Sequence, residues 1–312
     1  MKFIDLFCGL GGFRIALEHY NAECVFSSDI DPHVQKNYEY NFNEKVHGDI
    51  TAIQAQDIPA HDVICGGFPC QPFSIANSVG KTGFEHTKGT LFYDVVRIAK
   101  HHKPKFVFLE NVNRLEKHDG GNTLKTMIQA LDDIDYITYY KTLNSADYNT
   151  AQQRKRVYLV AIRKDIHHKT FLFPNATSNY SILRDHLICN QDQSLIISRD
   201  YDIVKNVTQR TRKVMRVGLI ESRDSQGYRI YSPLGLTPTF TASGGGLAGK
   251  TGAYLINNHV RKLSTKECLN VLGYPQDYLF QSDIPKTQQY KMIGNSVAVN
   301  VLKAIYHQIK TY

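Results

Sequence analysis

Several common features are missing from this sequence, and each absence excludes a class of protein. The six cysteines include no CxxC pair, which excludes the usual zinc sites and gives no small disulfide framework. No stretch approaches the roughly 18 apolar residues that a membrane span needs. Residues 1–5 lack the apolar core of a signal peptide, because Asp5 interrupts it. We therefore expect an intracellular protein with reduced thiols and no membrane contact.

The composition is that of a soluble globular protein with a basic surface. Of the 312 residues, 42% are hydrophobic and 21% are charged, which is ordinary for a chain that buries a full core. The net charge of +8 favours a polyanionic partner, although many basic proteins have none. Between residues 181 and 262, 12 Lys or Arg stand against 6 Asp or Glu. We therefore expect this segment to meet the polyanion.

The first 165 residues alternate strand-like and helix-like segments at the spacing typical of an α/β fold. Strands are predicted at 2–7, 24–27, 63–65, 106–109, 136–142 and 157–162, and helices at 13–20, from Pro32 onward, at 91–101 and at 122–131. This order predicts a doubly wound, mostly parallel sheet. After about residue 175 the sequence becomes rich in Ser, Thr, Gly and Tyr. We predict a first domain at 1–178, a smaller β-rich domain at 179–264, and helices at 265–312 that return to the first domain.

The most informative stretch is 66–74, which reads Gly-Gly-Phe-Pro-Cys-Gln-Pro-Phe-Ser. A buried strand runs into paired glycines, and a proline on each side of Cys-Gln favours an exposed loop with a fixed backbone. Ligands of α/β sheets bind at the carboxyl ends of the strands, where this thiol would lie. A lone cysteine is more often a small buried hydrophobe, but packing does not require two flanking prolines. We therefore interpret Cys70 as a nucleophile.

A glycine-rich turn follows the first predicted strand and contains Gly9, Gly11 and Gly12. Such a turn lets the backbone approach a ligand at a helix N-terminus. Asp29 follows the second strand, where a carboxylate can bind ribose hydroxyls. Asp49 adds another acid, which could serve the cofactor, cap a helix, or do both. Because the turn lacks the G-x-G-x-x-G spacing of a dinucleotide site, these residues favour S-adenosylmethionine over NAD.

Further charged residues stand at the ends of two later strands. Glu110 closes the apolar strand 106–109, and partial burial there would raise its pKa toward that of a general acid. Arg154 and Arg156 precede the strand 157–162 at positions i and i+2, so both point to one side. One could bind a carbonyl oxygen or a phosphate and the other a carboxylate. The simpler alternatives are a helix-capping carboxylate and a solvated basic rim.

Six motifs, in order, resemble those of the DNA (cytosine-5)-methyltransferases of bacterial restriction-modification systems. They are Phe7-x-Gly9-x-Gly11-Gly12, Pro69-Cys70-Gln71, Glu110-Asn111-Val112, Gln152-x-Arg154-x-Arg156, Arg261-Lys262-Leu263-Ser264 with Gly273-Tyr274-Pro275, and Gly294-Asn295-Ser296-Val297. The resemblance covers nearly the whole chain. It implies a Rossmann-like catalytic and cofactor-binding domain, a β-rich DNA-recognition domain, and S-adenosyl-L-methionine as the methyl donor for cytosine C5 in duplex DNA.

The resemblance also implies roles for single residues. Cys70 would add to C6 of a cytosine flipped out of the duplex, Glu110 would act at N3, and Arg156 would hold O2, with Arg154 as a further catalytic residue. The residues implied in cofactor binding are Phe7, Gly9, Gly11, Gly12, Asp29, Ile30, Asp49, Ile50, Pro69, Leu91, Asn295 and Val297. Those implied in DNA binding are Gln226, Arg229, Thr239, Ser243, Gly244 and Gly245. Gln226 would fill the space left in the duplex, and Arg229 would read a guanine.

Within the family, region 226–254 is most similar to the HhaI type, which suggests a short GC-rich palindrome, with GCGC as the guess. Two features depart from the pattern. Ile30 stands where such enzymes often carry an aromatic residue against adenine, and the chain has no tryptophan. The loop 75–84 is slightly longer than in the HhaI type. We therefore expect an aliphatic adenine pocket on that face.

The resemblance implies double-stranded DNA as the partner and a cognate restriction endonuclease as the functional counterpart. It also places the chain in the bacterial cytoplasm, associated with the nucleoid. A monomer is expected because one chain carries both catalytic and reading parts, and no metal is implied. Three alternatives remain: an enzyme for tRNA cytosine, as in a related eukaryotic family, a DNA-binding relative without activity, and a nicotinamide-dependent thiol enzyme, which binding of S-adenosylmethionine but not NAD would exclude. The basic segment argues against the first, and the presence of Cys70 and Glu110 argues against the second.

Overall fold

A six-stranded sheet forms the centre of the larger part of the molecule. The computed structural model describes residues 1–68, 91–188 and 192–312. The strands of this sheet are β1 (Lys2–Leu6), β2 (Glu23–Ser28), β3 (Val63–Gly67), β4 (Phe106–Val112), β5 (Tyr136–Asn144) and β6 (Lys155–Arg163), in the order β2-β1-β3-β4-β6-β5. The pairs among β1 to β4 are parallel, and β6 is antiparallel to both of its neighbours. The predicted doubly wound, mostly parallel sheet is confirmed.

Helices cover both faces of this sheet. They are α1 (Gly12–Glu18), α2 (Pro32–Phe42), α3 (Leu91–His102), α4 (Asn122–Asp132), α5 (Thr265–Leu272), α6 (Lys286–Asn295) and α7 (Val299–Lys310). As predicted, α2 begins at Pro32, because proline has no N–H to leave unpaired there, and the Asp31 side chain accepts a hydrogen bond from the His33 N–H. In the described ranges no helix combines the length and apolar character that crossing a bilayer requires.

Two apolar cores lie on opposite faces of the sheet because successive strand residues point to opposite sides. Phe3 belongs to the core that also contains residues of α1, α5 and α7. Its neighbour Ile4 belongs to the core formed with α3 and α4. The C-terminal helix α7 packs on α1. The domain boundaries after residues 178 and 264 remain predictions.

A second sheet lies in the region predicted to be β-rich. Its strands are β7 (Tyr201–Ile203), β8 (Arg216–Ile220), β9 (Arg229–Tyr231), β10 (Ala253–Ile256) and β11 (His259–Arg261), in the order β11-β10-β9-β8-β7. Only the β9–β10 pair is parallel among these described ladders. A small core of its own, which includes Val217, Ile220 and Ile230, stabilises it. The fold therefore contains the second, β-rich part that the sequence predicted.

Candidate functional site

A single cavity of about 750 Å³ lies at the carboxyl ends of the parallel strands. This is where ligands of α/β sheets bind, because the loops that follow the strands meet there. The predicted site residues that line it are Phe7, Gly9, Asp29, Ile30, Asp49, Ile50, Leu91, Glu110, Arg154, Arg156 and Asn295. Residues assigned from separate stretches of sequence, some to a cofactor and some to catalysis, therefore share one cavity.

Three residues predicted to bind cofactor have packing contacts instead of a place in the cavity wall. Gly11 has φ +72°, and a Cβ there would overlap the ring of Phe42. A Cβ on Gly12 would overlap the side chain of Val297, which is itself buried. Gly11 and Gly12 therefore allow α1 to start close to neighbouring side chains. Gly9 alone of these glycines lines the cavity.

Asp29 lies where β2 ends, and its carboxylate is held by two backbone N–H groups. Gly9 N donates to Oδ2 at 3.0 Å, and Asp31 N donates to Oδ1 at 3.0 Å. Burial raises the pKa of Asp29, and the two backbone hydrogen bonds oppose that rise. Each oxygen retains a further lone pair, so the carboxylate can still accept hydrogen bonds from hydroxyl groups.

Asp49 caps a short helix and also lines the cavity. It caps the 3-10 helix Ile50–Ala52, where its Oδ1 accepts hydrogen bonds from Thr51 N at 2.9 Å and from Thr51 Oγ1 at 2.8 Å. It also lines the cavity, on the same wall as Ile50. The cap fixes the direction of the carboxylate, so the two roles are compatible.

Glu110 and Arg156 form a buried ion pair at the inner end of the cavity. Arg156 Nε lies 3.0 Å from Glu110 Oε1, and Glu110 is only 7% exposed. Arg156 is the only described residue within ion-pair distance of Oε1, and this contact is not a well-aligned hydrogen bond. Burial raises the pKa of Glu110, while the charges of Arg156 and Arg154 oppose the rise. Burial and the two arginines therefore act on the pKa of this carboxyl group in opposite directions.

The Arg154 side chain forms its hydrogen bonds with backbone carbonyl groups. Its guanidinium donates to the carbonyl oxygens of Phe240 and Gly294 at 3.4–3.5 Å and to that of Ser296. Burial lowers its pKa to about 10. The two arginines thus differ in their contacts. Arg154 joins the first domain to the segment before residue 241 and to the end of α6, whereas Arg156 faces Glu110.

Pro69 and Cys70 lie outside the described residues. The chain approaches them beside Glu110, because Gly67 and Glu110 are register partners on β3 and β4. Asn111 Nδ2 donates to the carbonyl oxygen of Phe68 at 3.0 Å, which fixes the last described residue before Pro69. Asn111 was quoted within a motif but not predicted as a site residue. The only sequence signal for its role is its place next to Glu110.

Five of the six predicted DNA-binding residues lie on two neighbouring loops of the second sheet. Gln226 is exposed in the 3-10 turn Gln226–Tyr228. A Cβ on Gly227 would overlap the carbonyl oxygen of Gly245, so this turn packs directly on the loop that contains Ser243, Gly244 and Gly245. Thr239 Oγ1 donates to Gln153 O at 2.7 Å, which ties it to the motif around Arg154. Gln226 and the glycine loop therefore form one surface.

Arg229 begins β9 and binds a residue that sequence reasoning missed. Its Nε donates to Asp224 Oδ1 at 2.8 Å. Nothing in the sequence except a spacing of five residues connects the two. Among the described residues no group of three His, Cys, Asp or Glu side chains is placed to hold a metal ion.

Comparisons with known proteins agree on one family. Residues 1–311 match the family described as C-5 cytosine-specific DNA methylase. The chain is 44% identical over 313 residues to the Type II methyltransferase M.HhaI of Haemophilus parahaemolyticus, covering 99% of this chain and 94% of that protein. It is 38% identical to the Type II methyltransferase M.NgoBI of Neisseria gonorrhoeae, covering 97% of this chain and 91% of the relative. The solved structure of the S. pombe Dnmt2 methyltransferase has a TM-score of 0.74 at 18% identity, covering 98% of this chain and 97% of that one, and shows the fold alone.

Proposed function

The chain belongs to the family of C-5 cytosine-specific DNA methylases, and from that premise we propose how its cavity carries out methyl transfer. It is a DNA (cytosine-5) methyltransferase of the kind found in Type II systems. The proposed reaction takes the methyl group from S-adenosylmethionine and places it on C5 of a cytosine flipped out of duplex DNA. One observation carries the proposal. The buried carboxyl of Glu110, ion-paired with Arg156, shares its cavity with Asp29 and Asp49.

Acidic and apolar residues of the cavity support the proposal that it binds an adenosine-containing methyl donor. Asp29 has lone pairs available for ribose hydroxyls, and Ile30 is 70% exposed at the rim, where it can cover one face of an adenine. Ile50 and Leu91 supply apolar wall on either side of the acids. Phe7, Gly9, Asp49 and Asn295 complete the proposed binding set. Bound there, S-adenosylmethionine supplies an electrophilic methyl group on a sulfonium.

The proposed chemistry begins at C6 because C5 of cytosine is a poor nucleophile. The Cys70 thiolate forms a bond to C6, and the electrons of the C5–C6 double bond move to C5, which can then take up the methyl group. Glu110 donates a proton or hydrogen bond to N3, and Arg156 binds O2 and keeps Glu110 in place. As C5 takes up the methyl group, the bond between the methyl carbon and the sulfonium sulfur would break, with S-adenosylhomocysteine as the leaving group. Loss of the C5 proton to a base then restores the C5–C6 double bond and expels Cys70 as a thiolate, and a proton taken up at N3 returns to Glu110.

The second sheet is proposed to recognise the DNA. A flipped base leaves a gap in the duplex, which Gln226 would fill from its exposed turn. Arg229 would donate to a guanine in the major groove. Thr239, Ser243, Gly244 and Gly245 would contact the DNA from the adjoining loop. Asn and Gln side chains and backbone N–H groups of such loops can reach bases as well as phosphates.

We further propose a biological setting for this activity. Methylation of its own sequence would protect host DNA from a cognate restriction endonuclease. The chain would act as a monomer in the bacterial cytoplasm, associated with the nucleoid, because it carries catalytic and reading parts together. A tRNA substrate is the principal alternative, and the short GC-rich palindrome suggested by sequence similarity remains a proposal.

The experiment that tests this function is methyl transfer by the purified chain. Radiolabelled S-adenosylmethionine is incubated with duplex DNA or with tRNA, and bisulfite sequencing of DNA from cells that express the chain locates the modified cytosine. We expect transfer to duplex DNA at one short sequence, and S-adenosylmethionine but not NAD should raise the melting temperature. Transfer to tRNA and not to DNA would contradict the proposal.

A Cys70→Ser variant separates binding from chemistry. It should bind S-adenosylmethionine and duplex DNA as the wild type does, because the substitution is nearly isosteric, and it should transfer no methyl group. A Cys70→Ser variant that still methylates DNA would show that Cys70 is not the nucleophile.

A further inference from the structure

Two arginines of the second sheet share one carboxylate oxygen. Arg229 Nε donates to Asp224 Oδ1 at 2.8 Å, and Arg216 Nη1 donates to the same oxygen at 2.7 Å. Arg216 begins β8 and Arg229 begins β9, and Asp224 lies in the connection between these strands. Asp224 therefore links the starts of two adjacent strands and fixes the direction in which Arg229 leaves the sheet.

Asp224 uses one edge of the Arg229 guanidinium. Besides the Nε bond, Nη2 donates to the backbone carbonyl oxygen of Asp224 at 3.2 Å. The hydroxyl of Tyr231 also interacts with Arg229. Asp224 thus takes the Nε and Nη2 edge and does not occupy the edge formed by Nη1 and the second Nη2 hydrogen. A guanidinium binds O6 and N7 of guanine through two neighbouring N–H groups, which this second edge supplies.

The triad changes the charge that Arg229 presents. Hydrogen bonds from Arg229 and Arg216 lower the pKa of Asp224, so its carboxylate stays ionised at neutral pH. The negative charge of Asp224 between two arginines weakens their electrostatic attraction for nearby phosphates. This attraction is the main source of binding that does not depend on DNA sequence. A hydrogen bond to a base edge depends mainly on its direction. Partial neutralisation of Arg229 therefore weakens this hydrogen bond less than it weakens the attraction for phosphates.

The pair is too exposed to serve the fold. The side chains of Arg229 and Asp224 are 38% and 56% exposed, and ion pairs of that kind add little to folding stability. Ordering a long side chain on binding can lower affinity by up to about tenfold. A side chain that is already held before the DNA arrives avoids most of that loss.

We propose that Asp224 is a positioning residue that holds Arg229 ready to read its guanine and thereby sets specificity at that base pair. The inference rests on the proposed function of Arg229 as the guanine reader. It assigns Asp224 a role that no motif of the sequence indicated.

A double-mutant cycle tests this proposal. The variants are Asp224→Ala, Arg229→Ala and the double variant, with Asp202→Ala as the matched control. Asp202 is a carboxylate of the same sheet that accepts a hydrogen bond from Ser222 Oγ, so its loss removes the same charge elsewhere. Dissociation constants are measured for an unmodified duplex that contains the sequence at which the chain transfers methyl groups. They are also measured for duplexes with one base pair of that sequence changed and for a random duplex. Melting temperatures verify that every variant is folded.

Asp224→Ala should weaken binding of the recognition sequence by about three- to tenfold. It should bind random DNA at least as tightly as the wild type does. Its loss of discrimination should fall on the same base pair that Arg229→Ala affects, and the double variant should lose no more than Arg229→Ala alone. The positioning role is wrong if Asp224→Ala changes affinity only as much as Asp202→Ala does, or if it tightens binding of the recognition sequence. It is also wrong if the losses of affinity from Asp224→Ala and Arg229→Ala are fully additive. If Arg229→Ala changes no base-pair preference, the reader assignment fails, and the inference fails with it, while methyl transfer stands.

Discussion

Arg156 and Glu110 are diagonal neighbours on antiparallel strands, with Arg156 Nε 3.0 Å from Glu110 Oε1. Arg156 is the register partner of Val112, two residues beyond Glu110 on β4, so both side chains lie on the same face of the sheet. The pairing of β4 with β6 fixes this relationship without any ligand. The strand pairing therefore fixes one wall of the end of the cavity that is proposed to hold the cytosine.

Glu110→Gln should lower the rate of methyl transfer by about a hundredfold or more, since general acid catalysis contributes that much. The amide keeps the shape but supplies no exchangeable acid proton, and affinity for duplex DNA should change little. Single-turnover transfer and DNA titration measure the two effects separately. Glu116→Gln is the control, because Glu116 accepts a hydrogen bond from Thr142 Oγ1 and does not line the cavity. Near-wild-type transfer by Glu110→Gln would remove Glu110 from the mechanism.

The rate should also depend on pH through Glu110. Burial raises the pKa of this carboxyl, and the proposed mechanism uses its protonated form, so transfer should decline as pH rises through the raised value. The same shift makes stability decline in that direction, because the folded state binds the proton more tightly than the unfolded state. Pre-steady-state rates across the acid and neutral range test this. In Glu110→Gln that decline should be absent, and a profile identical to that of the wild type would argue for another titrating group.

Gly294→Ala should destabilise the chain although it introduces a better helix former. Alanine in α6 would gain up to about 1 kcal/mol in helix propensity. Its Cβ, however, would overlap backbone atoms of Thr241 and Ala242, and such overpacking costs about 1–3 kcal/mol. The overlap decides the sign because main-chain atoms cannot rotate away. Thermal unfolding measures the loss. Gly48→Ala, where a Cβ would meet nothing within 4 Å, should leave the melting temperature unchanged.

Substitution of Ile30 should change affinity for S-adenosylmethionine in both directions. Ile30 is 70% exposed at the cavity rim, so a larger side chain fits without repacking. Ile30→Phe would add ring stacking on adenine, worth about 0.5–1.5 kcal/mol, which is a roughly three- to tenfold tighter complex. Ile30→Ala should weaken it. Calorimetric titration measures both variants, and equal affinities in all three proteins would show that residue 30 does not touch the adenine.

The sequence predicted the cavity better than the contacts within it. Asp29 and Glu110 follow predicted strands, and parallel strands bring their carboxyl ends together whatever the details of packing. The glycines were different. Gly11 and Gly12 follow the same turn as Gly9, but their neighbours, Phe42 and Val297, come from distant parts of the chain. Local pattern contains no information about such contacts.

Two further relationships could not be predicted for the same reason. Arg154 and Arg156 have equivalent places in the sequence, and only the tertiary positions of Gly294 and Ser296 give Arg154 its backbone partners. Asp224 reaches Arg229 through an irregular connection in which Glu221 and Ser222 have φ of 49° and 53°. Left-handed residues that are not glycine are uncommon, so no periodicity indicates the direction of the chain there.

The most direct test of the account is covalent capture of Cys70 on its target. A duplex that contains the recognition sequence is made with 5-fluorocytosine in place of the target cytosine. It is then mixed with the chain and S-adenosylmethionine. Fluorine cannot be removed as a proton, so the adduct cannot break down after methyl transfer. We expect a stable complex in which mass spectrometry of digested protein locates the methylated base on Cys70, and none with Cys70→Ser. A wild-type chain that methylates ordinary cytosine but captures no fluorinated duplex, or captures it on another residue, would contradict the central claim.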